Sequence, residues 1–564
     1  MIRKYQNLLN CWKNAVKTPA GLLTLFFFGI CIAYLPLLFW DSIPQRDIAN
    51  RYAPMAEAFA RGDFLYAFHP RCQMLHTSIA GIIAFCCGCD GYMACKISSF
   101  LFFALSAIPL FFLCRRIFGS RIAAGAVLLF AFASPLLSIL AISGLRDAAK
   151  MFTLLLIAHA LTRIVQERQN IWNYVYAGAG CGLGVCVRNE MLLVAAFTLF
   201  ICGLLDRASH RWIGRSLTGV GTAVVISCAE LIANYGVSGL AIPAARYRTL
   251  FLQIFKVEPT WIPMIFYAVI PACLLYIAGV YTVSKIASFR KGKACMITIL
   301  VILVVALFYR IHVLASANPE RAGIFVNSIM LGLTWSFFPA AVTGAVFRFL
   351  FRRWSQEETV IAVLFILTNL TAIVSIILHD NYLFVSKRYL LPAVPLLLPW
   401  SWYAWEQIWK LFHEKLHIPY TTLLRRITAA VLILLSLYST YRERIKDQIR
   451  PKQSRLHQTI KTIAGRIRQE KYSFYTPELD LLHYKSNVRP LVYLDCHSKL
   501  TPAVYLGGGS TTPDPSAMDL LVTTAGKTGT QLKKQFPFIQ EIKRRGDRIP
   551  FGKEKLQLWE VIRK

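Results

Sequence analysis

Windows of about twenty apolar residues recur along this chain, and that repetition constrains its fold more than any other feature. At 1.5 Å per helical residue, each window crosses roughly 30 Å of hydrocarbon. A lipid interior offers no water to backbone N–H and C=O groups, so such runs fold as helices. Thirteen spans are expected, at about 21–40, 92–114, 122–142, 148–164, 172–187, 191–205, 213–235, 261–283, 294–315, 324–347, 360–378, 389–411 and 427–438. The expected fold class is an all-α polytopic membrane protein. From about Tyr441 the composition turns polar. There, short apolar runs (Tyr472–Tyr475, Leu491–Leu494, Leu520–Thr523, Leu556–Ile562) and helix-like stretches (Lys452–Glu470, Thr530–Arg544) predict a small C-terminal α/β domain. The chain divides into a membrane domain, residues 1–442, with its first external loop at 41–77, and a soluble domain, residues 443–564.

Lys and Arg number 62 against 29 Asp and Glu, a formal net charge of +33. On one soluble face that excess would suggest nucleic acid. Here the basic residues lie in short clusters between apolar windows, the pattern of cytoplasmic loops, so membrane lipids are the expected partner and nucleic acid is not. Arg3, Lys4, Lys13 and Lys17 put the N-terminus in the cytoplasm, and an odd number of spans puts the C-terminal domain outside. The run Gly21–Trp40 is too long for a cleavable signal and lacks a small-residue cleavage site, so it reads as a retained first span. Most of the fifteen cysteines fall in apolar windows, where they act as small hydrophobes, and Cys86, Cys87 and Cys89 lack metal-site spacing. Asn369-Leu-Thr371 lies within a predicted span, so nothing suggests a glycosylated ectodomain. A bacterial inner membrane with a periplasmic C-terminal domain is expected.

A charge in hydrocarbon costs about 2.5–3.5 kcal/mol on insertion scales, so charges at the membrane edge direct attention to a cavity. Five such features share the predicted outer face: Asp47, Arg146-Asp147, Arg188-Asn189-Glu190, Arg246 with Arg248, and Lys387-Arg388. Each has a plainer reading. Asp47 could be a solvated residue beside the amphipathic stretch Ile48–Ala60, and Asp147 a helix cap. Arg188 and Glu190 could form a structural ion pair, and Lys387-Arg388 could anchor a span by snorkelling. As a set they describe an external site in which carboxylates act on an acceptor proton and cations neutralise a phosphate. The alternative class is a lipid or small-solute transporter, which should carry its ionisable groups near the bilayer midplane in broken helices. A scaffold would need no acid and phosphate-binding cations on one face.

The first loop, Asp47 followed by Tyr52-Ala-Pro-Met-Ala-Glu-Ala-Phe-Ala-Arg-Gly-Asp63, resembles that of the GT-C membrane glycosyltransferases. The similarity is to the branch of protein O-mannosyltransferases and the bacterial lipid A aminoarabinose transferase. Arg115-Arg-Ile-Phe-Gly119 is similar to the cytoplasmic end of that family's second span, and Ser386-Lys-Arg-Tyr-Leu-Leu-Pro392 to its Arg-Tyr corner. The family often has an Asp-Glu pair where this chain has Arg46-Asp47-Ile48. The resemblance implies a hexosyl- or pentosyltransferase that moves a sugar, with inversion, from a polyprenyl-phosphate donor to a lipid, glycan or protein acceptor. It implies Asp47 as general base, with Asp147 as a second catalytic residue that orients the acceptor or holds a cation. Arg388, Lys387, Arg146, Arg246 and Arg248 would bind the donor phosphate, and Glu190, Arg188, Tyr52 and Tyr389 the sugar or acceptor. Two separated acids do not define a metal site, so a divalent cation is left open and no other cofactor is implied.

Overall fold

The computed structural model describes residues 18–39, 48, 52–62, 64–68, 73–132, 135–188, 190–206, 211–235, 276–283, 337–351, 353–380, 387–416 and 421–449, then 492–495, 520–524, 539–551 and 554–563, with single positions between 312 and 326 and between 530 and 534. Asp47, Arg246 and Arg248 lie outside the described residues, as do most of the spans at 261–283 and 294–315, and Lys452–Glu470.

Thr18 starts α1 (Pro19–Leu38): its side chain accepts from Gly21 N at 3.1 Å, and Pro19 takes the first helical position, where no N–H is missed. Three shorter helices follow, α2 (Ala53–Ala60), α3 (Phe64–Ala67) and α4 (Met74–Cys87). At about 21 Å, α4 is too short to cross a bilayer. Asp90 caps α5 (Gly91–Phe118) by accepting from Met93 N at 2.7 Å, and Glu57 of α2 accepts from Gly91 N at 3.0 Å. A Cβ at position 91 would lie 2.2 Å from Ala53 O, so glycine lets α2 sit against the start of α5.

The expected span at 122–142 is two helices, α6 (Ser120–Phe132) and α7 (Pro135–Ile142), with a proline opening the second. Beyond them come α8 (Asp147–Gln166), α9 (Ile171–Val185), α10 (Met191–Asp206) and α11 (Trp212–Tyr235). The later part holds α12 (Phe338–Leu350), α13 (Gln356–Asp380), two 3-10 turns (Lys387–Tyr389 and Leu391–Leu397), α14 (Leu398–Leu416) and α15 (Thr421–Ile449).

α8 is the central rod, buried on nearly every side and packed against α5, α9 and the second 3-10 turn. The outer helices leave Phe28, Ile32, Val225 and Ile366 exposed, as a hydrocarbon solvent requires. Five described helices are long and apolar enough to cross a membrane: Pro19–Leu38, Gly91–Phe118, Asp147–Gln166, Trp212–Glu230 and Gln356–Ile373. The protein is an integral, multi-pass membrane protein.

The C-terminal region carries a four-stranded sheet in the order β1-β2-β4-β3, from β1 (Val492–Asp495), β2 (Leu520–Thr524), β3 (Ile539–Phe551) and β4 (Glu554–Arg563). β1 and β2 are parallel, and β4 runs antiparallel to β2 and β3. Three strands coincide with the apolar runs at Leu491, Leu520 and Leu556. The helix expected at Thr530–Arg544 does not hold over its second half. Ile539–Arg544 is strand, paired with β4 from Ile539↔Arg563 onward, because the partner's edge outweighs local helical spacing.

Candidate active site

The N-terminus of α8 meets the turn between α9 and α10, and there the charged residues converge. Gly144 takes a φ of +75°, a left-handed conformation open to glycine, and the turn it makes delivers Arg146 and Asp147 to the head of α8. α9 is capped at its C-terminal end when Val187 N and Arg188 N return to Gly184 O, at 3.0 and 3.1 Å. This places Arg188 and Glu190 directly across from Asp147.

Arg188 pairs with Asp147 through Nη1 and Oδ1. Its Nε lies 3.0 Å from Glu190 Oε1, and Lys150 Nζ reaches the same oxygen at 2.8 Å. Arg146 donates to Gln73 Oε1 and, at 3.3 Å, to Val187 O. The Asp147, Lys150 and Arg188 side chains are almost wholly buried, and Glu190 is 15% exposed. Burial alone would raise the Glu190 carboxyl, but Lys150 and Arg188 more than offset it and hold it at about 2. Arg188 is pushed above its ordinary value by Asp147 and Glu190 despite its burial.

Aromatic rings close the cluster. The Arg188 guanidinium lies 4.6 Å from the centre of the Tyr389 ring and that of Arg388 lies 5.3 Å from it. Arg146 lies 5.7 Å from the Tyr52 ring. Residues 52, 146–150, 188, 190 and 388–389 thus line one locality from four distant parts of the chain. Among the described residues no group of three or more His, Cys, Asp or Glu is arranged to hold a metal ion.

Residues 82–232 match the family model of dolichyl-phosphate-mannose-protein mannosyltransferases, a stretch that includes Arg146, Asp147, Arg188 and Glu190. The chain superposes on the crystal structure of ArnT from Cupriavidus metallidurans in the apo state with a TM-score of 0.53 and 14% identity, over 96% of this chain and 98% of that one. The fold is that of a GT-C membrane glycosyltransferase. The Archaeoglobus fulgidus oligosaccharyltransferase, crystallised with Zn and sulfate, aligns at a TM-score of 0.49 and 13% identity, over 89% of this chain and 68% of that one. No curated protein sequence matches the chain.

Within this GT-C fold, seven of the residues singled out in the sequence come together: Tyr52, Arg146, Asp147, Arg188, Glu190, Arg388 and Tyr389. Lys387 occupies the same 3-10 turn as Arg388. Three members of the cluster were not anticipated. Lys150 was hidden inside an expected span, although a lysine in an apolar window is itself a signal. Gln73 and His76 precede the apolar run from Ser78, where no charge marked them.

Proposed function

We propose that the chain transfers a sugar from a polyprenyl-phosphate-linked donor to an acceptor on the outer side of the membrane. The observation that carries this reading is the convergence of three guanidinium groups, Arg146, Arg188 and Arg388, on one buried locality. Arg388 approaches the Tyr389 ring that Arg188 covers. Gathering like charges in a desolvated place is costly, and an anionic ligand relieves it. A phosphodiester suits guanidinium forks, which bind two oxygens at once. The family match, to enzymes named for dolichyl-phosphate-mannose, supports the same donor class.

In this reading the donor phosphate lies among Arg388, Arg188 and Arg146, with Lys387, Arg246 and Arg248 extending the basic surface. Asp47 takes the proton of the acceptor hydroxyl or amine as that group attacks the anomeric carbon. The bond from that carbon to the phosphate oxygen breaks, and polyprenyl phosphate departs with the electron pair. One displacement inverts the anomeric centre. The guanidinium groups stabilise charge on the leaving phosphate, so no strong general acid is required. Ile48 is fully buried, and a Cβ placed on Gly144 would lie 3.2 Å from its Cδ1, so the first external loop reaches the Arg146 turn at that residue. Asp147 orients Arg188, and Glu190, held ionised, accepts hydrogen bonds from sugar hydroxyls. The proposed setting is a bacterial inner membrane, N-terminus inside and C-terminal domain in the periplasm, with a lipid, glycan or protein as acceptor.

Membranes supplied with a radiolabelled polyprenyl-phosphate sugar test the reading. Asp47→Asn should abolish covalent transfer at unchanged protein level, and normal transfer by that variant overturns Asp47 as the base. Label that crosses the membrane without joining any acceptor would make the protein a transporter.

A further inference from the structure

One helical turn touches both cation-bearing corners of the site. It is the start of α4, from Gln73 to His76. Gln73 Oε1 accepts from Arg146, and Leu75 N donates to Cys186 O at 3.1 Å, two residues before Arg188. The Leu75 N–H is one of the orphan donors of a helix N-terminus, satisfied here across the chain rather than by a local cap. His76 completes the set.

The His76 ring is 1% exposed. Its Nε2 lies 3.1 Å from Gly144 O and its Nδ1 lies 3.1 Å from Ser98 Oγ. A carbonyl oxygen only accepts, so Nε2 carries the proton and donates. Burial pushes the imidazole down to about 4, leaving the ring neutral near pH 7, so Nδ1 accepts from the Ser98 hydroxyl. The ring also meets Tyr52 edge to face, with centroids 5.7 Å apart and planes at 83°. His76 therefore reaches Arg146 by two routes, through the Gly144 carbonyl two residues upstream and through the Tyr52 ring beneath the guanidinium.

We propose that His76 is a positioning residue for the donor phosphate, holding the Gly144 turn and Tyr52 so that Arg146 stays aligned with Arg188. The inference rests on the donor reading above. His76 itself touches neither donor nor acceptor.

The experiment uses the full chain in lipid nanodiscs, measuring equilibrium binding of undecaprenyl phosphate and the donor KM and kcat of transfer. A glutamine amide at position 76 can still donate to Gly144 O, whereas asparagine reaches only the Ser98 side and leucine neither. His76→Leu and His76→Asn should weaken binding and raise the donor KM about tenfold, the scale of one lost buried hydrogen bond. kcat at saturating donor should stay within about twofold, and His76→Gln should recover most of the affinity. A merely structural histidine would instead lower the amount of active enzyme with KM unchanged. That result, or equal behaviour of the glutamine and asparagine variants, overturns the proposal. Should the leucine variant fail to fold, Gln73→Leu cuts the Arg146 bond from the same turn, and wild-type affinity in that variant also overturns it. A wild-type protein that binds no undecaprenyl phosphate overturns the donor reading itself.

Discussion

The two ends of α8, about 30 Å apart, treat charge in opposite ways. At the Gln166 end the carboxylates are engaged by their neighbours. Arg116 bonds Gln166 and Glu167 at 2.9 and 3.1 Å, and Gln166 continues to Glu357. Beside them Glu358 receives Arg348 on both oxygens, at 3.0 and 2.6 Å, together with Trp400 Nε1 and Ser355 N, each at 2.9 Å. All four of its acceptor sites are used. At the Asp147 end Glu190 uses a single oxygen for both Lys150 and Arg188, and Arg146, Arg188 and Arg388 gather beside the Tyr52 and Tyr389 rings. A saturated carboxylate holds helices together and can do little else. The proposal above gives the Asp147 end another task, holding a ligand.

The sharpest break of this comparison is a matched pair of truncations. Arg188→Ala strands Asp147 and should lower stability by about 3–5 kcal/mol and transfer by at least about a hundredfold. Arg348→Ala should destabilise comparably by stranding Glu358, yet leave turnover per folded molecule unchanged, as denaturation alongside rate measurements would reveal. If both lose turnover equally, the two ends do not differ in function.

Lys150→Met removes one cation while filling its space. Because Arg188 still faces Glu190, stability should fall less than in Arg188→Ala, whereas donor affinity should fall about tenfold. A stability loss on the scale of Arg348→Ala would mean that Lys150 is structural.

The Glu190 carboxyl, held at about 2 against an ordinary 4.5, adds a pH signature. A depressed carboxylate contributes stability that is full above pH 4.5 and is lost as pH falls toward 2. Acid unfolding should steepen in that window, and Glu190→Gln should flatten it. The same substitution should leave the shape of the rate profile between about pH 5 and 8 unchanged, because Glu190 does not titrate there. The smallest effect belongs to the half-exposed Arg116–Glu167 pair, where Glu167→Ala should cost less than about 1 kcal/mol in a thermal melt.

Much of the site was legible because charge at a span edge is rare and costly. Arg146, Asp147, Arg188, Glu190 and Arg388 stand out against apolar windows, and their convergence follows once the spans are alternated across a membrane. Lys150 escaped although it lies one turn beyond Asp147, because a hydropathy window averages a single lysine away. Gln73 and His76 escaped for another reason: their contacts, Arg146 for Gln73 and the Gly144 carbonyl and Tyr52 for His76, are brought near only by tertiary packing. The division into α6 and α7 had a local cue in Pro135, but the continuous apolar run concealed it. In the tail, Ile539–Arg544 has helical spacing locally and becomes strand through pairing with β4.

The separation of the site's parts along the chain has a consequence for biosynthesis. Asp147, Lys150, Arg188 and Glu190 all lie between positions 147 and 190, so these buried charges can neutralise one another once α8, α9 and α10 have entered the membrane. Tyr389 and Arg388 are translated roughly two hundred residues later. A ribosome stalled before them would leave a membrane-stable intermediate with its ion pairs formed and the proposed donor site lacking one wall, so assembly of the bundle and completion of that site are separate events in the life of the chain.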